Sequence, residues 1–134
     1  MDAATRKLVR VRAGFRCEYC RLHEDERDFH SFHIEHIIAK QHAGGDGDDN
    51  LCLSCADCNW AKGTNLAGRI GERLVPLFHP RRQSWKRHFQ WNNTLLLGKT
   101  LVGQVTIQVL RINDDVRVML RENLLFEGRF PPDA

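Results

Sequence analysis

The spacing of apolar and polar positions divides the first half of the chain into short segments. Residues 3–13 favour a basic helix. Residues 32–38 are rich in isoleucine and phenylalanine, which indicates a strand, and residues 51–53 predict a short second strand. Residues 56–62 favour a short helix that stops at Gly63. The centre of the chain is therefore expected to run strand, loop, strand, helix.

The second half of the chain has a different pattern. Residues 88–91 and 94–97 flank Asn92-Asn93, which predicts a hairpin turn. A helix capped by Thr100 is predicted through Arg111. Apolar residues also alternate within this segment, so a strand is the alternative there. Residues 115–126 repeat the helical spacing.

Length and composition point to a single α+β domain. The chain has 134 residues, of which 42% are hydrophobic, and that is enough for one modest core. The first half is polar and its apolar runs are short, so it is expected to need a bound structural metal ion for stability. We expect a core at about residues 15–63, with a C-terminal α/β extension at about 66–134 packed on it.

The charge balance permits nucleic-acid binding without requiring it. Twenty basic and 17 acidic residues give a net charge of +3, which an ordinary protein surface also shows. The N-terminus has no apolar signal-peptide region, and no apolar run is long enough to span a bilayer. A cytoplasmic protein without a membrane partner is expected, and the oligomeric state is left open.

Two Cys-x-x-Cys pairs predict a structural zinc site. Cys17 and Cys20 form the first pair, and Cys55 and Cys58 form the second, with 34 residues between them. Four thiolates suit a tetrahedral zinc ion, and a filled coordination sphere leaves no position for a reactive water. The alternative is a set of buried or redox-active cysteines. Cys52 could replace Cys55 as a ligand, but its place between two leucines favours a core position.

A further series of residues resembles the HNH endonuclease motif. The series runs His-Ile-Glu-His at residues 33–36, Gly-Gly at 44–45, Asn-Leu at 50–51, Cys-x-x-Cys-Asn at 55–59 and Lys-Gly at 62–63. It is most similar to small bacterial HNH proteins with two zinc knuckles. The resemblance covers residues 15–63, and residues 77–89 resemble more loosely the Pro-Arg-Arg tails of such proteins.

The resemblance implies a ββα-metal active site that hydrolyses DNA. In it, His36 is the general base and Asn50 orients its imidazole. Glu35 stands where the family usually has an Asp or His metal ligand, and Asn59 is the second ligand of a catalytic Mg²⁺ or Mn²⁺ ion. The chemistry agrees with these residue types, because phosphodiester cleavage needs a nucleophilic water, a base with a pKa near neutrality and charge compensation at the phosphate.

Strand geometry complicates this assignment. Adjacent residues of a regular strand point to opposite faces, so Glu35 and His36 serve one site only where the strand ends or bulges. His33 and Glu35 share a face, which makes His33 a further candidate ligand or an ordinary strand histidine.

The remaining candidates are cations and tryptophans. Four basic residues are candidate phosphate contacts, although each alone is typical of a solvated surface: Arg16, Lys62, Arg81 and Arg82. Three tryptophans are expected in the core rather than as stacking platforms for bases: Trp60, Trp85 and Trp91. The preferred function is a DNA endonuclease. The alternatives are a non-catalytic zinc-stapled nucleic-acid-binding module and a redox or metal-storage protein.

Overall fold

A computed structural model describes residues 1–27 and 32–132. The chain forms helices and short antiparallel strands, which is the α+β class predicted from the sequence. In chain order the elements are α1 (Ala3–Arg12), β1 (His33–His36), β2 (Leu51–Ser54), α2 (Ala56–Lys62), β3 (Ala67–Ile70), β4 (Arg73–Pro76), α3 (Trp85–His88), β5 (Phe89–Asn92), β6 (Leu95–Gly98), α4 (Leu101–Leu110) and α5 (Asp115–Phe126). Single 3-10 turns lie at Glu24–Glu26, Lys40–His42 and Asp48–Asn50.

The centre of the fold is the predicted arrangement of two strands and a helix. β1 and β2 pair antiparallel, with His33 opposite Ser54 and His36 opposite Leu51. The predicted first strand is shortened at both ends. Helix α2 has the predicted bounds because Cys55 caps its first turn and Gly63, with φ of 53°, ends it.

Two further hairpins lie in the C-terminal half. The β3–β4 hairpin has no counterpart among the predicted elements; its turn places Gly71 at φ of 59°, which suits a tight two-residue connection. In the β5–β6 hairpin the turn falls on Asn93 and Thr94, one residue later than predicted, and Asn93 takes the positive φ of 53°.

The two predicted C-terminal helices are both present. Thr100 caps α4 by accepting a hydrogen bond from the backbone N of Gly103 at 3.1 Å, so the alternative of a strand in this segment is wrong. Helix α4 packs against β3, β6 and α2. These contacts join the C-terminal half to the centre, and the single-domain organisation stays a prediction.

Aromatic residues fill the core of the C-terminal half. Trp85 and Trp91 are half-buried and lie against Phe89 and Phe130. Trp60 does not join them: its side chain is 89% exposed. The expectation that Trp60 is a core residue is therefore wrong, because helix α2 turns this position towards solvent. None of the helices within the described residues is long and apolar enough to cross a membrane.

Gly103 gives a test of how closely α4 packs. A Cβ atom at this position would lie 2.1 Å from the carbonyl oxygen of His88. Although Ala is the better helix former by about 1 kcal/mol, we expect Gly103→Ala to lower the free energy of unfolding by about 1–3 kcal/mol through overpacking. Urea denaturation at a fixed zinc concentration measures the change.

Gly45→Ala is the matched control, because a Cβ atom there meets no atom within 4 Å. We expect it to change stability little. A Gly103→Ala protein that is more stable than the wild type would contradict the packing described here.

Candidate functional site

Four cysteines converge on one buried point. Cys17 and Cys20 come from the loop after α1, and Cys55 and Cys58 from the start of α2. Their sulfur atoms all lie within 4.8 Å of one another, and the Sγ atoms of Cys20 and Cys55 are 3.7 Å apart. Zinc bound tetrahedrally at about 2.3 Å from each sulfur requires sulfur–sulfur separations of about 3.8 Å. The four thiols therefore fit a structural zinc ion.

Cys52 stands outside this group, as predicted. Its thiol is buried, and its Sγ lies 3.5 Å from Glu35 Oε1 and 3.6 Å from Tyr19 Oη, so its one proton has two neighbouring acceptors. Burial is the main cause of the raised pKa of Cys52, so it remains a thiol at neutral pH. Cys52 therefore belongs with Glu35 and Tyr19 and not with the metal site.

An arginine from the last helix completes the surroundings of the thiols. Arg117 of α5 is buried, and its guanidinium donates to Cys58 Sγ at 3.0 Å and to the carbonyl oxygen of Leu110 at 2.8 Å. Hydrogen bonds to ligating sulfur offset the negative charge that four thiolates place around one Zn²⁺. Sequence reasoning missed Arg117, because an arginine on a helix is ordinarily a surface residue.

His36 lies at the end of β1 and contacts a carboxylate. Its Nε2 is 2.9 Å from Asp46 Oδ1, and Lys40 Nζ lies 3.2 Å from the same oxygen. Hydrogen bonds from His36 and Lys40 lower the pKa of Asp46, so this carboxyl is ionised and only accepts. Nε2 therefore carries the shared proton, and Nδ1 of the neutral ring has the free lone pair.

Asn50 does not contact the imidazole. Its amide donates to the carbonyl oxygens of Ile38 at 2.9 Å and Gly45 at 2.8 Å, and its oxygen accepts from the backbone N of Ile38 at 2.9 Å. The expected direct orientation of His36 by Asn50 is thus corrected. Asn50 binds the backbone of Ile38 and of Gly45. The side chain of Asp46, next to Gly45, contacts the imidazole ring of His36.

Arg12 of α1 holds the segment that carries Asn50. Its guanidinium donates to the carbonyl oxygens of Asp48 and Leu51, each at 2.6 Å. These two residues flank Asn50 closely in sequence. Helix α1 therefore fixes the position of Asn50 from outside the motif.

Glu35 points away from His36, as strand alternation requires. It is 7% exposed, and burial raises its pKa although Lys62 opposes the shift. Lys62 is 2% exposed, lies 4.0 Å from Glu35 Oε2 and donates to the carbonyl oxygen of Ile37 at 3.0 Å. The prediction of Lys62 as a phosphate contact is wrong in this structure, because its ammonium is enclosed by protein groups.

His33 and Asn59 face a different space from Glu35. Both line an open cleft of about 890 Å³ between α2 and the α4–α5 connection, which Trp60 also lines. Glu35 is absent from its lining and is held by Lys62. The predicted set of Glu35, Asn59 and His33 therefore does not fit a catalytic divalent ion as placed. Within residues 1–27 and 32–132, the four cysteines are the one cluster of at least three His, Cys, Asp or Glu side chains that could share an ion.

The other predicted phosphate contacts differ in accessibility. Arg16 donates to the carbonyl oxygen of Arg21 at 2.8 Å, and Arg81 forms an ion pair with Glu18. Both guanidinium groups thus serve internal contacts. Arg82 is exposed and is the one of the four that offers its charge to solvent.

Comparison with known proteins bears on the family of the segment that carries these residues. Residues 17–65 match the family model described as HNH endonuclease, which confirms the resemblance predicted from the sequence. The chain is 29% identical over 112 residues to Septu protein PtuB of Bacillus thuringiensis. This match covers 82% of the chain but 41% of the relative, so the chain spans about two fifths of that protein's length. No solved structure matches the chain.

Cysteine replacements test the assignment of the metal ligands. Cys58→Ser is expected to remove the bound zinc and unfold much of the chain, because structural zinc supplies roughly 10–16 kcal/mol in small zinc-binding peptides. Cys52→Ser is the control: it changes the same atom type within the same core but outside the cluster. Metal analysis and circular dichroism measure both effects. Equal zinc loss from the two variants would refute the assignment.

Proposed function

We propose that this chain is an endonuclease that hydrolyses phosphodiester bonds of DNA, with His36 as the general base. The observation that carries the proposal is the contact between His36 Nε2 and Asp46 at 2.9 Å, inside the segment that matches the HNH endonuclease model. A carboxylate on one ring nitrogen leaves the other nitrogen ready to accept a proton.

The chemistry at His36 follows from this arrangement. As a water oxygen forms a bond to phosphorus, Nδ1 of the neutral ring takes one of its protons, and the bond from phosphorus to the leaving oxygen breaks. The ring becomes positively charged in this step. The Asp46 carboxylate stabilises that charge through the hydrogen bond from Nε2.

The surrounding backbone limits the movement of this pair. Asn50 ties the chain after β1 to the loop that carries Asp46. Arg12 holds the residues around Asn50. A base fixed in this way needs less reorganisation at the moment of reaction.

The requirement for Mg²⁺ or Mn²⁺ is part of the proposal. A bound divalent ion would supply charge compensation at the phosphate, but the structure does not bring the predicted ligands Glu35, His33 and Asn59 to one point. The burial of Glu35 against Lys62 instead favours a second candidate, the non-catalytic zinc-stapled nucleic-acid-binding module. The two functions differ in whether DNA is cut.

Plasmid cleavage by the zinc-loaded protein tests the proposal. We expect nicking or cutting with Mg²⁺ or Mn²⁺ and none after addition of EDTA at a concentration that leaves the structural zinc bound. His36→Ala is expected to lower the rate about 10²- to 10⁴-fold, the usual worth of a general base. Its zinc content and thermal stability should stay unchanged.

His42→Ala is the matched control, since His42 is exposed on the neighbouring turn and has no proposed part in the reaction. Full metal-dependent cleavage by folded His36→Ala protein would exclude the mechanism. DNA binding by the wild type without any cleavage would support the binding module instead.

Asp46 provides a second, independent prediction. Asp46→Asn keeps the size of the side chain but removes the charge that stabilises the imidazolium ring. We expect the cleavage rate to fall about 10- to 100-fold, as for other groups that orient a functional side chain. Asp49→Asn, on the same loop and exposed, is the control. Equal rates for the two variants would show that the carboxylate has no part in orienting the base.

A further inference from the structure

We infer that a cavity lined by Ile37 and Ile38, the two residues that follow His36, binds the nucleotide adjoining the cleaved phosphate; this inference rests on the proposed nuclease function. The cavity has a volume of about 320 Å³, at the lower end of the range of about 300–1,000 Å³ for small-ligand sites. Ile37 and Ile38, which follow His36 directly, form one wall. Residues 76–79 with 82–83 of the C-terminal half form the other.

The lining combines apolar and polar residues. Ile37, Leu77 and Phe78 are buried and supply the apolar surface. Asn65 and Gln83 add amide groups to the lining. A nucleobase, which has flat apolar faces and hydrogen-bonding groups at its edges, suits such a lining.

The charges in this cavity are of one sign. Among the described residues that line it, Lys62 and Arg82 are the charged ones, and both are cationic. Lys62 is engaged with Glu35 and Ile37, whereas Arg82 is exposed and can meet a phosphate. The site therefore has charge complementarity to a nucleotide.

The larger cleft around Trp60 lacks this complementarity. Its charged lining residues are three arginines and three aspartates: Arg27, Arg111, Arg117, Asp57, Asp114 and Asp115. Arg117 is further occupied by Cys58. A phosphate would meet equal numbers of attracting and repelling groups there, so the smaller cavity is the better anion site.

The polar groups of the cavity are held in place before any ligand arrives. His79 Nδ1 accepts from the backbone N of Arg81 at 3.2 Å, so the neutral ring carries its proton on Nε2 and donates there. Gln83 Oε1 accepts from the backbone N of His79 at 2.8 Å, which leaves the amide NH₂ as a donor. Donors fixed in this way reduce the entropy that binding would otherwise cost.

Nucleotide titration of zinc-loaded His36→Ala protein tests the inference without any cleavage. The probes are thymidine 5′-monophosphate, thymidine and inorganic phosphate, followed by two-dimensional NMR. We expect the monophosphate to bind at least about tenfold more tightly than either fragment, because base and phosphate are both recognised. The resonances that shift should include those of residues 77–83.

Gln83→Glu is the sharpest variant, because it keeps the oxygen that His79 requires and adds a negative charge to the cavity. We expect it to weaken monophosphate binding at least about tenfold. Gln90→Glu makes the same chemical change on the exposed face of β5 and should leave binding unchanged. Arg82→Ala, at an exposed side chain, should also weaken binding at least about tenfold and gives a second test that does not depend on the folding of Gln83→Glu.

Equal affinities for Gln83→Glu and Gln90→Glu would overturn the inference, as would phosphate binding as tightly as the monophosphate. Selective nucleotide binding by a chain that does not cut DNA would refute the proposed function but still support the nucleotide site. DNA cleavage with the same KM in wild type, Gln83→Glu and Arg82→Ala would refute the site and leave the nuclease standing.

Discussion

Four sulfur atoms that must meet at one tetrahedral centre are the constraint on which this fold depends. The requirement brings the loop after α1 against the start of α2. Cys55 has two tasks, since its sulfur also accepts from the backbone N of Cys58 and begins the helix. Through Arg117, the same cluster reaches α5, more than 50 residues away along the chain. The polar first half is thereby joined to the C-terminal helix α5.

The proposed chemistry depends on this scaffold in steps. β2 leads directly into α2, and β1 is held by its pairing with β2. At the end of β1, His36 projects away from the buried cluster around Glu35 and meets Asp46. Asn50 and Arg12 hold the backbone on either side of this contact. A zinc ion bound there would thus act on the proposed reaction through the position of the strands.

Sequence reasoning succeeded where local physics decides the structure. Helix α2 and the cap of α4 were predicted because Gly63 and Thr100 carry their own signals. The grouping of four cysteines followed from their spacing. The contacts of Asp46, Arg117 and Lys62 were not predictable, since each depends on a partner distant in the chain or on a loop conformation. The β3–β4 hairpin was missed because its strands are short and weakly apolar.

Hydrogen exchange on zinc-loaded and chelator-treated protein tests the central claim most directly. If the four-cysteine site organises the whole chain, removal of one zinc ion should raise amide exchange in residues 33–62 and in α5 together, because Arg117 loses its partners at Cys58 when the cluster opens. Unchanged protection of both segments in zinc-free protein would contradict the account, and so would exchange that rises in residues 33–62 while α5 stays protected.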